Sequence, residues 1–217
     1  MKSSNKQNRL LLMFFFCGFS LSSFSQTAKD FFTSSETAVV FLGVDFTKAK
    51  VINEPGANAI DIRNGYNSVN NVIMSESKKY NLAEVFHKSY IASDLTAVKA
   101  KNEKINAEEI LSSNTEDYHR LEESDINAVI KTLNISGKKG IGLIFVIEGF
   151  RKEGKARNAS VWTVLINLQS KKVLMAERSD AKVGGVGFRN SWASAIKSTL
   201  QNIEKSKYKE WKEKYGS

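Results

Sequence analysis

IGLIFVIEGF, residues 141–150, places apolar side chains on both of the alternating faces of an extended chain. A strand with one face in water alternates apolar and polar residues, whereas a strand covered on both sides does not. This run follows SGKKG (136–140), a turn rich in glycine and lysine, and reads as a strand buried between two layers. TAVVFLGVDF (37–46) has the same character and supplies a second such strand. ASVWTVLINL (159–168) and VLMAERSD (173–180), joined by QSKK, read as a hairpin with a short polar turn.

Helical spacing fills much of the remainder. Ile62, Tyr66, Val69 and Ile73 predict a helix over 58–78, after NEPGAN (53–58) and its single proline. Ser124 is read as the cap of a helix carrying Ile126, Val129, Ile130 and Leu133. A long last helix starts near Asn190, with Trp192, Ile196, Leu200, Ile203, Trp211 and Tyr215 on one face and lysines toward its end. Residues 80–125 mix polar and apolar types without a clear period. Strands and helices do not alternate strictly, so the expected class is α+β: one domain over 26–217, with a four- or five-stranded, mostly antiparallel sheet, helices packed on it and a long C-terminal helix.

Residues 1–25 read as a cleaved secretory leader. Lys2, Lys6 and Arg9 precede the apolar run Leu10–Leu21, and small Ser23 and Ser25 place cleavage before Gln26. The apolar run is about 12 residues, short of the roughly 20 that span a bilayer. Cleavage leaves 192 of the 217 residues, no cysteine, and no later transmembrane segment. Loss of Cys17 removes thiol nucleophiles and thiolate metal sites, and stability then rests on core packing. Of 32 basic and 23 acidic residues, three basic ones leave with the leader, so the balance falls from +9 to +6. That modest charge suits an anionic polymer, while export argues against genomic nucleic acid as partner; an envelope protein or a glycan is the expected partner class.

AKVGGVGFRNSWASAIK (181–197) concentrates Gly184, Gly185, Gly187, Arg189 and Asn190 ahead of the last helix. It lacks the G-x-G-x-x-G spacing and the Walker lysine, so it reads as a structural corner: glycines for unusual backbone angles, Phe188 plugging the core, Asn190 capping the helix. Gly185, Gly187, Phe188, Arg189, Asn190, Trp192 and Ala193 form a G-x-G-F-R-N-x-W-A motif. In this motif and across residues 80–205, the chain resembles a family of small exported bacterial proteins of unassigned function. The resemblance implies export and a shared fold, and no reaction.

Asp45 and Glu148 each sit near the end of a doubly apolar strand. If those strands are parallel neighbours, the two acids approach one another, with Arg189 within reach. Paired carboxylates in a low dielectric serve acid–base chemistry, and an ion pair with Arg189 is the structural alternative. His87 and His119 are far apart and form no ligand motif, no serine has a nucleophile-elbow context, and no cofactor or metal is expected. The expected role is a non-catalytic binding or support module of the cell envelope. Its rivals are an enzyme built on Asp45 and Glu148, and a binder of anionic polymer.

Overall fold

The computed structural model describes residues 26–54 and 56–217. The expected leader, residues 1–25 with its cleavage position at Ser25, and the proline at 55 lie outside the described residues. Gln26 is the first described residue, and its carbonyl accepts a hydrogen bond from Asn167 Nδ2 at 3.2 Å.

The strands are β1 (Val39–Asp45), β2 (Lys50–Ile52), β3 (Ala92–Ser93), β4 (Leu111–Ser112), β5 (Ile141–Glu153), β6 (Ala156–Asn167) and β7 (Val173–Lys182), joined in one seven-stranded sheet. The 141–150 stretch lies in its central strand. Along one edge of β5 run β1 and then β2, both parallel to it, with β3 outside β1 and β4 outside β2, again parallel. Along the other edge the β6–β7 hairpin is antiparallel.

The expected mostly antiparallel α+β sheet is therefore incorrect. Four strand pairings are parallel and the arrangement is α/β. The physical reason lies in the doubly apolar strands. A strand needing cover on both faces is brought beside its neighbour by a crossover that carries helices onto the sheet.

Helices cover both faces. On one lie α1 (Ala28–Thr33), α2 (Ala59–Ser75), α3 (Leu82–Val85), α6 (Phe188–Asn202) and α7 (Tyr208–Tyr215). Their Phe31, Tyr66, Ile73, Trp192 and Ile196 pack with Phe41, Leu143, Phe145 and Val161 of the sheet. On the other lie α4 (Thr96–Asn102) and α5 (Glu123–Lys131), whose Val98, Ile126 and Ile130 meet Leu42, Ile144, Val146 and Trp162.

Two details of these helices depart from the sequence reading. α5 is capped by Glu122, in a reciprocal box with Asp125, and Ser124 falls inside the first turn. A carboxylate competes well at that position because it accepts backbone N–H groups at the positive helix end. Between α6 and α7 the chain makes one π turn, Ile203–Lys207. Buried residues 196, 200, 203, 208 and 211 are spaced four, three, five and three apart. The wider π turn absorbs the five-residue step, keeping Tyr208 and Trp211 on the face begun by Trp192.

Residues 80–125 resolve into short helices, the two-residue strands β3 and β4, and 3₁₀ turns at Ala107–Glu109 and Thr115–His119. Elements this short carry no hydrophobic period. They are held by tertiary contacts instead, which is why the sequence pattern was weak there.

Candidate functional site

β1 and β5 are parallel neighbours, and Asp45 stands opposite Val146, two residues before Glu148 on β5. Glu148 occupies a bulge where the β5–β6 register shifts between Ile147 and Gly149. Bulges re-aim side chains, and this one directs a carboxylate to the α5 side of the sheet, onto Trp162 and the Leu121 segment. Both acids are completely buried.

Their oxygens are fully engaged. Glu148 Oε1 accepts the Leu121 N–H at 2.5 Å and lies 3.5 Å from Arg178 Nη1. Glu148 Oε2 accepts from Ser160 Oγ at 2.8 Å and Trp162 Nε1 at 3.1 Å. Asp45 Oδ1 accepts from the Thr47 N–H at 2.8 Å and the Thr47 hydroxyl at 2.5 Å. Asp45 Oδ2 meets Lys101 Nζ at 3.2 Å. Each carboxylate thus has its own cation and closes its own loop, and neither faces open space. This arrangement clamps the 46–49 and 117–121 segments to the sheet.

Arg189 joins neither acid. It is exposed, and its guanidinium donates to the side chain of the adjacent Asn190. The residue that fastens the glycine corner is Arg157, donating to the Gly185 carbonyl at 2.8 Å and to Ser191 Oγ at 3.2 Å. Ser194 closes the same corner: its hydroxyl accepts the Gly184 N–H at 2.8 Å.

Gly187, at φ +81°, is the N-cap of α6. Asn190 falls in the first turn and donates to the Val186 carbonyl instead of capping. Gly187 takes the cap because the chain turns there through left-handed angles that asparagine adopts less readily. Gly184 is exposed at ordinary angles, and Gly185 shares the +81° value of Gly187. Phe188 is half-buried against Tyr66 and Trp192, its ring pressed onto Gly65 of α2, where a Cβ would come within 2.7 Å. Trp192 is 1% exposed among Phe46, Phe150 and Tyr66. His119 pairs with Asp180 at 2.8 Å, and His87 packs on Tyr208.

Above the clamped acids lies a cleft of about 690 Å³, where β1 ends and the chain steps to β2 along the same edge of β5. Ligands of open α/β sheets bind outside the carboxyl ends of parallel strands, which is this position. Lys48, Lys50, Lys101, Lys104 and Arg120 line it, against Glu109 and Asp125.

Three of the five cations are committed. Lys101 holds Asp45 and the Val129 carbonyl, Lys50 donates to the Glu109 carbonyl, and Arg120 donates to the carbonyls of Lys48, Asp117 and Glu148. Lys48 and Lys104 are exposed, and their ammonium groups have no partner among the described residues. The cleft keeps a net positive charge, five cations against Glu109, Asp125 and the buried Asp45, over a hydrogen-bonded floor. Sequence reasoning missed it because its lysines come from segments about fifty residues apart, in runs (KAK, 48–50, and KAKNEK, 99–104) that resemble ordinary solvated surface.

Among the described residues no helix is long and apolar enough to cross a membrane. No known protein-family profile matches this chain, and no curated protein matches it either. Among solved structures it is similar to a hypothetical protein from Chlamydia trachomatis (9% identity, 81% of this chain and 98% of that one, TM-score 0.33). It is also similar to a lipoprotein from Neisseria meningitidis (13% identity, 78% and 98%, TM-score 0.31). A third is described as a homolog of a neuraminyllactose-binding hemagglutinin from Helicobacter pylori (10% identity, 83% and 90%, TM-score 0.29).

Proposed function

We propose that this chain is a non-catalytic binding module that acts outside the cytoplasm, and that its ligand is an anionic group on an envelope glycan or protein. One observation carries the proposal: the cationic cleft at the end of β1, with Lys48 and Lys104 free among the described residues to take an acidic partner. The two buried acids support the non-catalytic part. A general acid or base must reach the proton it moves, and here every carboxylate oxygen is spent on the fold. Placement in the envelope rests on the leader at residues 1–25.

The test is retention of the mature chain on heparin and on phosphocellulose across a salt series, with Lys48→Ala/Lys104→Ala beside it. Exposed charges act through screened attraction, so retention should fall steeply with salt. Loss of two contacts should weaken binding roughly tenfold, about 1.4 kcal/mol. Lys78→Ala/Lys155→Ala, elsewhere on the surface, is the control. Equal loss in both pairs would mean that only net charge matters and would remove the cleft from the account.

A further inference from the structure

A second cationic site lies where α1 and the segment after α3 meet α7. The cleft there, about 510 Å³, is lined by Ser34, Ser35, His87, Lys88, Lys209 and Lys212, among others. Lys88 is 6% exposed, an unusual state for a lysine. Its ammonium donates to the carbonyls of Phe31 and Ser34 and lies 4.4 Å from the centre of the Phe31 ring. No carboxylate pairs with it among the described residues. Burial and the nearby charge of Lys212 lower its pKa to about 8.

A buried ammonium is normally paired, because leaving it alone costs several kcal/mol. Two of the three N–H groups of Lys88 have carbonyl acceptors, and the third has no protein acceptor among the described residues. Lys209 and Lys212 line the same cleft, the Lys212 charge acting on Lys88, and neither ammonium has an ion pair or hydrogen bond among the described residues. The acids nearby are occupied: Glu210 pairs with Lys207, and Glu36 is held by the hydroxyls of Ser35 and Ser89.

The backbone around the cleft is also unusual. His87 is held at φ +50°, its ring 4.3 Å from that of Tyr208, and the π turn Ile203–Lys207 ends just before Tyr208. Left-handed non-glycine residues and π turns both concentrate at functional sites.

We propose that this cleft binds a dianionic phosphate, free or as a phosphomonoester, seated between the ammonium groups of Lys88, Lys209 and Lys212. Three cations without counter-charge select a multivalent oxyanion, since a single carboxylate would leave two of them unneutralised. At the rim the Ser34 hydroxyl, which accepts the Glu36 N–H, keeps its own O–H to donate, while the Ser35 hydroxyl stays on Glu36.

The experiment is a titration of the isotope-labelled mature chain with inorganic phosphate, followed through the lysine Cε–Nζ signals. The expected result is a saturating shift confined to Lys88, Lys209 and Lys212, in the millimolar range that a few charged contacts support, together with a rise in the Lys88 pKa. Lys209→Ala/Lys212→Ala, on an exposed helix face, should fold normally and bind phosphate at least about tenfold more weakly. A parallel arm uses phosphatidylcholine vesicles with and without phosphatidic acid, whose headgroup is a phosphomonoester. Saturation by free phosphate assigns a soluble ligand. Binding only to phosphatidic acid vesicles, lost in the double variant, assigns a lipid-borne one. Shifts that stay linear with phosphate, with no vesicle binding, overturn the proposal, as does a double variant that binds like the parent.

Discussion

Replacing Glu148 with alanine should be among the most damaging single changes in this protein. The carboxylate accepts from the Leu121 N–H at 2.5 Å, Ser160 Oγ at 2.8 Å and Trp162 Nε1 at 3.1 Å. Alanine strands these three donors in the core, at about 1–3 kcal/mol each before relaxation. Arg178, 3.5 Å away and one-third exposed, recovers solvation and adds little. Allowing for non-additivity, the loss should be about 4 kcal/mol. For a chain of this size that lowers Tm by roughly 8–16 °C. Glu148→Gln keeps one acceptor but sets its amide N–H groups against donors, so it should cost about half as much. Urea unfolding of the parent and both variants, with calorimetry alongside, reads these numbers directly. A variant within about 0.5 kcal/mol of the parent, or more stable than it, would refute the clamp. It would mean that the carboxylate is maintained against stability, as active-site groups are.

Gly185→Ala should cost about 1 kcal/mol or more, because φ is +81° and the new Cβ would meet the Asn190 backbone at 3.2 Å; Gly184→Ala, with open space around it, should be nearly neutral in the same thermal melts. Trp192→Ala should cost about 3–5 kcal/mol by chemical denaturation, as a buried aromatic amid four other rings. Tyr66→Phe should be neutral or stabilising by the same measurement, since its buried hydroxyl has no partner among the described residues.

Lys88 predicts a pH effect. Its folded pKa, about 8, lies below the unfolded value of 10.5, so the unfolded chain holds the extra proton between them. The penalty of burying this charge is full below about pH 8 and is relieved as pH rises toward 10.5, so stability should increase across that window. Burial raises the pKa of Tyr66, Tyr80 and Tyr118, which erodes stability only above about pH 10, so melts should stop near pH 9.5. Lys88→Met should flatten the rise, and an unchanged slope in that variant would exclude Lys88 as its source.

The stretches 37–46, 141–150, 159–168 and 173–180 were legible as strands because β-branched and aromatic side chains recur along them, and they correspond to β1, β5, β6 and β7; the polar stretch 151–158, over which β5 and β6 extend, carried no such signal. The faces of α2 and α6 were legible because their contacts repeat at helical spacing along a single element. Strand direction was not legible. Parallel and antiparallel neighbours present the same alternation of side chains, and only the path of the crossover through residues 53–140 decides between them.

The candidate site divides in the same way. Asp45 and Glu148 stood out as acids in apolar strands, but their partners Lys101, Leu121, Ser160, Trp162 and Arg178 come from four other parts of the chain. Arg189, adjacent in sequence to the glycine corner, points to solvent, while Arg157 reaches the corner from the neighbouring β6. The sequence by itself determined which segments must be buried, through the local periodicity of apolar residues. Which charges meet inside was decided by tertiary structure alone, because ion pairing depends on distances of 3–4 Å between residues the chain separates by dozens of positions.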